Sequence, residues 1–147
     1  MSMPNTITHD QDFSAWAFQN AELLRQGRFL DCDAANIAEE LDSMGRSVRR
    51  ELASRLRILL MHMLKWHYQP ERRGTSWRLT IRNQRTEIRD LLKENPSLSA
   101  QLPNELLTNY ADARELATDE TGLPENTFPD ECPFSLEETL NQAFWPD

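Results

Sequence analysis

The sequence predicts an all-α fold: a single helical domain over residues 10–147, built as a bundle of about five helices. Apolar residues recur at helical spacing in three separate segments, and the alternating runs of β-branched residues that are typical of strands are missing. A chain of 147 residues is also long enough to bury a sizeable core as one domain.

The segment from Val48 to Tyr68 is the predicted central helix. At about 100° per residue, one face spanning about 80° collects its large apolar side chains. These are Val48, Leu52, Leu56, Leu59, Met63 and Trp66. Between Ile58 and Leu64 the helix is apolar nearly all round, so we expect other helices to surround it. This stretch is too short to span a bilayer.

Before the central helix we expect a flexible leader over residues 1–9 and then a first helix. This helix begins at Asp10 or Asp12 and ends at Gln26, because Gly27 suits the position after a helix end. Its expected buried residues are Phe13, Trp16, Ala17, Ala21 and Leu24.

The next helix is expected to be capped by Asp31 or Asp33. Its predicted apolar face consists of Ile37, Leu41 and Met44. Gly45 predicts a kink or a brief break before the central helix. The alternative is one continuous helix from Asp33 to Trp66, since a single glycine costs only about 1 kcal/mol in a helix interior.

After the central helix, Pro70 ends the helical segment and Thr75 or Ser76 can cap a helix that runs to Glu94. The apolar face of that helix consists of Trp77, Ile81, Ile88, Leu91 and Leu92. A single turn at 97–101 is expected next.

The last long helix is predicted over residues 104–121, with Pro103 suited to its first turn and Gly122 to its end. Its expected buried residues are Leu106, Tyr110, Ala113 and Ala117. The remaining segment, 123–147, is interrupted by prolines and should wrap the surface of the bundle. Ser135 and Glu138 form a capping box for a short helix that ends near Gln142. Two closing aromatic residues are expected to dock onto the bundle, Phe144 and Trp145.

The net charge of −8 is unevenly distributed along the chain. Residues 46–93 hold 13 basic and 4 acidic residues, whereas the rest of the chain holds 3 basic and 20 acidic residues. Such asymmetry indicates either a surface for nucleic acid or a membrane, or basic helices packed between acidic ones.

The helix after Pro70 carries a predicted basic stripe beside its apolar face, made of Arg78, Arg82, Arg85, Arg89 and Lys93. Lys65, Arg72 and Arg73 precede it, interleaved with Trp66, Tyr68 and Trp77. Basic and stacking side chains together are what phosphate and base contacts require. The candidate contacts to an anionic ligand or nucleic acid are therefore Arg72, Arg73, Arg78, Arg82, Arg85, Arg89 and Lys93.

A competing interpretation assigns this stripe to pairing within the fold. The helix over 104–121 carries an acidic stripe of Glu105, Asp112, Glu115 and Asp119. A short connection would place that helix antiparallel to the basic one. We expect intramolecular pairing or a solvated face, which contributes little to stability when exposed.

Glutamates and a histidine inside a helical bundle can bind metal, and Glu39, Glu40, Glu51 and His62 are the candidates. The Glu-x-x-His pair of di-iron bundles is absent, because Leu59 stands three residues before His62. We therefore expect no metal and no cofactor, and a buried His62 that is hydrogen-bonded to a carboxylate or a carbonyl.

Cys32 and Cys132 have neither metal-ligand spacing nor the pattern of a disulfide framework, so both are expected to be structural. The N-terminus lacks the basic and apolar regions of a signal peptide. These observations predict a cytoplasmic protein.

Several motifs resemble a bacterial family known only as domain of unknown function 29. They include the run Ile37-Ala-Glu-Glu-Leu-Asp-Ser-Met-Gly-Arg and the run Leu60-Met-His-Met-Leu-Lys-Trp-His-Tyr-Gln-Pro-Glu-Arg. Ser76-Trp-Arg, Phe128-Pro-Asp-Glu-Cys-Pro-Phe and Phe144-Trp-Pro belong to the same pattern. The resemblance covers about Asp12 to Pro146. It implies an all-helical single domain and no established activity, so no catalytic residue follows from it.

Together these patterns favour a non-catalytic interaction or regulatory module that binds another macromolecule. A protein partner or self-association is expected, and no membrane. Nucleic-acid binding through the stripe from Arg78 to Lys93 is the first alternative. A metal-dependent enzyme that uses Glu39, Glu40, Glu51 and His62 is the second.

Overall fold

The computed structural model describes residues 7–147 and confirms an all-α fold, with no strand in that range. The helices are α1 (Phe13–Arg25), α2 (Ala34–Tyr68), α3 (Thr75–Glu94), α4 (Leu102–Thr121) and α5 (Leu136–Leu140). Short 3-10 turns occupy Phe29–Asp31, Pro70–Arg72, Pro96–Gln101 and Glu125–Thr127. Most of the predicted leader, residues 1–6, lies outside the described residues. The chain divides into two compact units, of which the first ends at Ser47 and the second is Val48–Asp147.

In the first unit, α1 begins at Asp12, whose side chain accepts a hydrogen bond from the backbone N–H of Ala15. Its buried residues are Trp16 and Asn20. Both contact Asp33: the indole Nε1 of Trp16 donates to the carboxylate over 2.9 Å, and Asn20 accepts from the Asp33 backbone N–H over 2.8 Å. Hydrogen bonds from Asn36 and then from Trp16 lower the pKa of Asp33. Asp33 therefore holds the start of α2 against α1.

The burial predicted for two residues of α1 is wrong, and most of the predicted apolar face at the start of α2 is exposed. Phe13 and Leu24 are 52% and 43% exposed, and Leu41 and Met44 are 62% and 63% exposed. The reason is rotational: α1 directs its Trp16 side toward the start of α2. Phe13 and Leu24 lie about 60° and 80° from Trp16 around the helix and face solvent.

The kink predicted at Gly45 is also wrong, and the continuous-helix alternative is confirmed. Helix α2 runs unbroken through Gly45 and Ser47 to Tyr68. One helix-interior glycine costs too little to break a helix whose later turns are held by a packed core.

His9 is attached to the first unit by polar and aromatic contacts. Its Nε2 lies 2.6 Å from a carboxylate oxygen of Glu40, and its Nδ1 lies 3.1 Å from Asp10. Its ring packs edge-on against Trp16, with centroids 4.7 Å apart. The hydrogen bonds to Glu40 and then to Asp10 raise the pKa of His9 above 6.5.

The raised pKa predicts that the first unit is more stable at low than at high pH within the range of histidine titration. Protonated His9 contributes stability below about pH 6.5, and that contribution is lost as pH rises through the higher folded-state pKa. Hydrogen exchange of α1 amides should show this loss, after correction for the intrinsic pH dependence of exchange. His9→Gln should remove the pH dependence. An NMR titration that places the His9 pKa at or below 6.5 would contradict the prediction.

In the second unit, the predicted face of α2 forms the core. Leu52, Leu56, Leu59, Met63 and Trp66 are all buried, and Val48 is partly buried against them. Helices α3 and α4 supply the other walls through Ile81, Ile88, Leu91, Leu106, Tyr110, Ala113 and Ala117, as predicted. Gly122 ends α4 with φ of 72°, the left-handed conformation that favours glycine.

The C-terminal segment wraps onto this unit as predicted. The capping box of Ser135 and Glu138 is present, although α5 ends at Leu140 rather than near Gln142. Arg114 donates to the backbone carbonyls of Glu125 and Phe128 and so fastens the segment to α4. Both closing aromatic residues pack against the core, Phe144 and Trp145. Among residues 7–147, no helix combines the length and apolarity needed to cross a membrane.

Candidate anion-binding groove on α3

The exposed basic side chains of α3 are Arg78, Arg82, Arg89 and Lys93. Within the described chain, their one carboxylate contact inside 4 Å joins Arg89 to its neighbour Asp90 at 3.9 Å, with both side chains more than half exposed. Arg78, Arg82 and Arg89 therefore present almost uncompensated positive charge to solvent.

These three arginines line a surface groove of about 820 Å³. Its other lining residues are Trp66, Leu79, Asn83, Thr86, Gln142 and Trp145. The groove lies between α3 and the C-terminal segment, because Gln142 donates hydrogen bonds to the Arg82 carbonyl and the Thr86 hydroxyl. It thus combines guanidinium groups, neutral polar groups and indole surface.

Two buried polar atoms of the residues that line the groove have no hydrogen-bond partner in residues 7–147. They are the indole Nε1 of Trp66, a residue only 8% exposed, and the Oε1 of Gln142. Buried polar atoms are normally satisfied, and these two are closed to solvent, so they offer no contact to a molecule in the groove.

Arg85 corrects the predicted surface stripe, because it is only 2% exposed. Its guanidinium donates to the carbonyls of Glu138, Thr139 and Phe144 at 3.1, 2.8 and 2.8 Å. It also lies 5.6 Å from the ring centroid of Trp145. Burial lowers the pKa of Arg85 to about 10, so the side chain stays protonated at neutral pH. Arg85 anchors the C-terminal segment from inside and is not a surface contact.

Some of the basic residues before α3 also make contacts within the fold. Arg73 donates to the carbonyls of Trp66 and Pro146, and Lys65 lies 2.6 Å from Glu120 and above the Trp77 ring. Arg72 is exposed. Of the upstream residues, only Arg72 keeps the exposure that the sequence pattern suggested.

Of the two outcomes expected for the basic stripe, pairing with the acidic stripe of α4 is wrong, and a solvated face is what Arg78, Arg82 and Arg89 form. Asp112 lies 3.7 Å from Arg57, and Glu120 pairs with Lys65 and has its pKa lowered by that hydrogen bond. Arg57 and Lys65 both belong to α2. Within residues 7–147, Asp112 is the one residue of the acidic stripe in an ion pair, and no acidic side chain of α4 lies within 4 Å of an α3 arginine.

The metal candidates have other contacts. Glu40 binds His9, Glu51 pairs with Arg55, and the Nδ1 of His62 contacts the Ile58 carbonyl at 2.8 Å. The last contact confirms the predicted hydrogen bond of His62 to a carbonyl. Burial lowers the pKa of His62. Glu39 is exposed on α2. No cluster of three or more His, Cys, Asp or Glu residues suited to a metal ion occurs in residues 7–147.

The two cysteines are free thiols. Cys132 donates to the Phe134 carbonyl and packs against the core, and burial raises the pKa of its thiol. A raised pKa disfavours the reactive thiolate. This environment agrees with a structural role for Cys132. Cys32 donates weakly to the Arg28 carbonyl in the first unit.

Comparison with known protein families gives one match. The family described as Domain of unknown function DUF29 matches residues 8–145. The chain belongs to this family. No curated protein and no solved structure matches the chain. The DUF29 match includes both units and every residue of the groove, and it assigns no activity to them.

Sequence reasoning missed several groove residues of this DUF29 domain. Thr86 lies on α3 about 40° from Arg82, and this proximity was available from helical spacing, whereas Asn83 lies about 100° from Arg82. Gln142 comes from the C-terminal segment, whose path over α3 no local pattern shows.

Proposed function

We propose that this protein is a non-catalytic binding module that holds single-stranded nucleic acid along the exposed face of α3. The observation that carries the proposal is the set of three exposed arginines, Arg78, Arg82 and Arg89, beside a groove that contains indole surface. Exposure of the basic face is the feature that distinguishes nucleic-acid binding from ion pairing within the fold.

The spacing of these arginines suits a run of phosphates. From Arg78 to Arg89 the helix rises about 16 Å, which corresponds to several nucleotides of a single strand. The planar guanidinium group binds phosphate oxygens through two parallel hydrogen bonds, which lysine cannot do. Phosphate contacts of this kind position a strand without reading its sequence.

The groove beside the arginines suits a base. Trp145 and Leu79 offer apolar surface, and stacking on aromatic rings tolerates any base. The amide of Asn83 and the hydroxyl of Thr86 offer hydrogen bonds. The arginines that line the groove belong to one helix of a chain with net charge −8, and this favours a single strand over the more highly charged duplex.

We expect a fluorescently labelled single-stranded oligonucleotide to bind with an affinity that falls with salt. Neutralisation of about three phosphates gives a log–log slope near −2, from about −0.7 per phosphate on single strands. Arg82→Glu combined with Arg89→Glu should weaken binding at least tenfold, because both contacts become repulsive. Fluorescence anisotropy at low and at physiological salt measures both effects.

The matched control is Arg49→Glu combined with Arg50→Glu, which makes the same change in net charge at exposed positions on α2 outside the groove. It should leave most of the affinity intact. Equal weakening by the two double variants would show that only overall charge matters. Equally tight binding of poly-glutamate would show that the groove prefers acidic peptides, and either result would refute the proposal.

A further inference from the structure

The groove on α3 is built from two different parts of the chain. Helix α3 supplies its charges, because Arg78, Arg82 and Arg89 all belong to that helix. The C-terminal segment supplies its open aromatic surface. Trp145 is half-buried, whereas the other indole of the groove, that of Trp66, is only 8% exposed. Phosphate contacts and base stacking therefore depend on separate elements.

The part of the C-terminal segment that borders the groove has little structure of its own. Helix α5 ends at Leu140, and residues 141–147 form neither helix nor strand. Such a stretch keeps its place only through contacts with other elements. Because local opening of this kind costs far less than global unfolding, the segment can leave α3 while the rest of the second unit stays folded.

Arginines hold the backbone on both sides of Trp145. Arg85 of α3 donates to the carbonyl of Phe144 over 2.8 Å, and Arg73 donates to the carbonyl of Pro146 over 3.1 Å. The guanidinium of Arg85 also lies 5.6 Å from the ring centroid of Trp145. Neither arginine lines the groove. Both therefore act on the position of the indole rather than on a molecule in the groove.

We infer that the C-terminal segment is a ligand-linked wall of this groove and that Arg85 is the residue that positions it. The inference rests on the proposed binding of single-stranded nucleic acid. The docked segment presents the indole of Trp145 to a base, while the phosphates bind α3 whether or not the segment is docked. Arg85 stands between Arg82 and Arg89 on the same helix, so the indole is held at a fixed place relative to the phosphate contacts.

Binding and docking are then coupled in both directions. A ligand that contacts α3 and Trp145 together binds the docked state more tightly than the open state. It must therefore shift the segment toward the docked state by the same factor, since linkage is reciprocal. A ligand that contacts only the arginines has equal affinity for both states and shifts nothing.

The test compares a fluorescently labelled oligothymidylate with an abasic strand of the same length, which keeps the phosphates and lacks the bases. We expect the wild-type protein to bind the oligothymidylate at least fivefold more tightly, because stacking of a single base on an aromatic ring contributes about this factor or more. In Arg85→Ala the preference should fall below twofold. The affinity for the abasic strand should stay within about threefold, because Arg78, Arg82 and Arg89 are unchanged.

The matched control is Leu59→Ala, which also removes a buried side chain from the second unit but leaves the contacts of Arg85 in place. Both variants are compared at a temperature where circular dichroism shows them folded. Leu59→Ala should keep the fivefold preference. A general loss of stability would lower the preference in both variants equally.

Hydrogen exchange of the wild-type chain tests the coupling without any variant. Asn141, Ala143 and Phe144 have hydrogen-bonded amides and report opening of this stretch. Saturating oligothymidylate should slow their exchange at least fivefold. The saturating abasic strand should change it less than twofold.

The outcomes separate this inference from the proposed function. Equal binding of the two strands by the wild-type chain, equal protection by both, or a full preference kept in Arg85→Ala would overturn the inference and leave phosphate binding on α3 intact. Loss of the preference in Leu59→Ala would overturn it as well. A wild-type chain that binds neither strand would refute the proposed function and this inference together.

Discussion

Arg85→Ala should destabilise the second unit by about 3–5 kcal/mol. The guanidinium is the buried donor for three backbone carbonyls, those of Glu138, Thr139 and Phe144. Truncation leaves these oxygens without that donor and removes the packed stem of the side chain. An unsatisfied buried group costs about 1–3 kcal/mol, so three of them account for an effect of this size after partial rehydration.

Chemical denaturation measures the loss, and hydrogen exchange at the 136–147 amides reports whether the C-terminal segment is released first. Arg85→Lys keeps the charge but cannot reach three acceptors, so it should recover only part of the stability. The matched control is Arg82→Ala, one turn away and exposed, which should change stability by less than about 0.5 kcal/mol. A loss of less than about 0.5 kcal/mol for Arg85→Ala would show that Arg85 does not hold the C-terminal segment.

Leu59→Ala should cost about 2–5 kcal/mol, the usual range for removal of a large side chain from a packed core. Leu59 is 0% exposed and lies on the α2 face that α3 and α4 surround. The loss combines the transfer of the side chain with the cavity that remains. The size of the loss within this range depends on how far the residues around the cavity relax.

The midpoint and slope of a urea unfolding curve give this value. The exposed Leu107→Ala provides the comparison for the intrinsic effect of the leucine-to-alanine change in a helix, expected within about 0.5 kcal/mol. Equal losses for Leu59→Ala and Leu107→Ala would mean that the α2 face is not the core.

Several helix ends in this protein were predictable because they depend on local chemistry. The cap predicted at Thr75 or Ser76 is wrong, because α3 begins at Thr75 after Gly74 with no side-chain cap hydrogen bond. Asp12 caps α1 through a neighbouring N–H, Gly122 adopts the left-handed conformation, and Ser135 forms a capping box with Glu138. These contacts join residues two to four positions apart. The buried face of α2 was predictable for a similar reason, since helical spacing alone places its leucines on one side.

The basic residues of α3 show where such patterns become insufficient. By helical spacing Arg85 lies about 20° from the apolar Leu92, closer to the core face than any other arginine of the stripe. That proximity was a usable signal for burial. The groups that compensate the buried charge of Arg85 were not predictable. The three carbonyls that this side chain binds belong to residues more than fifty positions later in the chain.

The sequence by itself determined the helical class, several helix ends and the apolar face of the central helix, because propensity, capping and periodicity act over one or two turns. Only the tertiary structure decided which charges pair and which apolar residues stay exposed. Asp112 meets Arg57 of α2 rather than an arginine of α3, and Leu41 of the first unit remains uncovered. Both outcomes depend on how each helix is rotated against elements distant in the chain, and no local interaction sets that rotation.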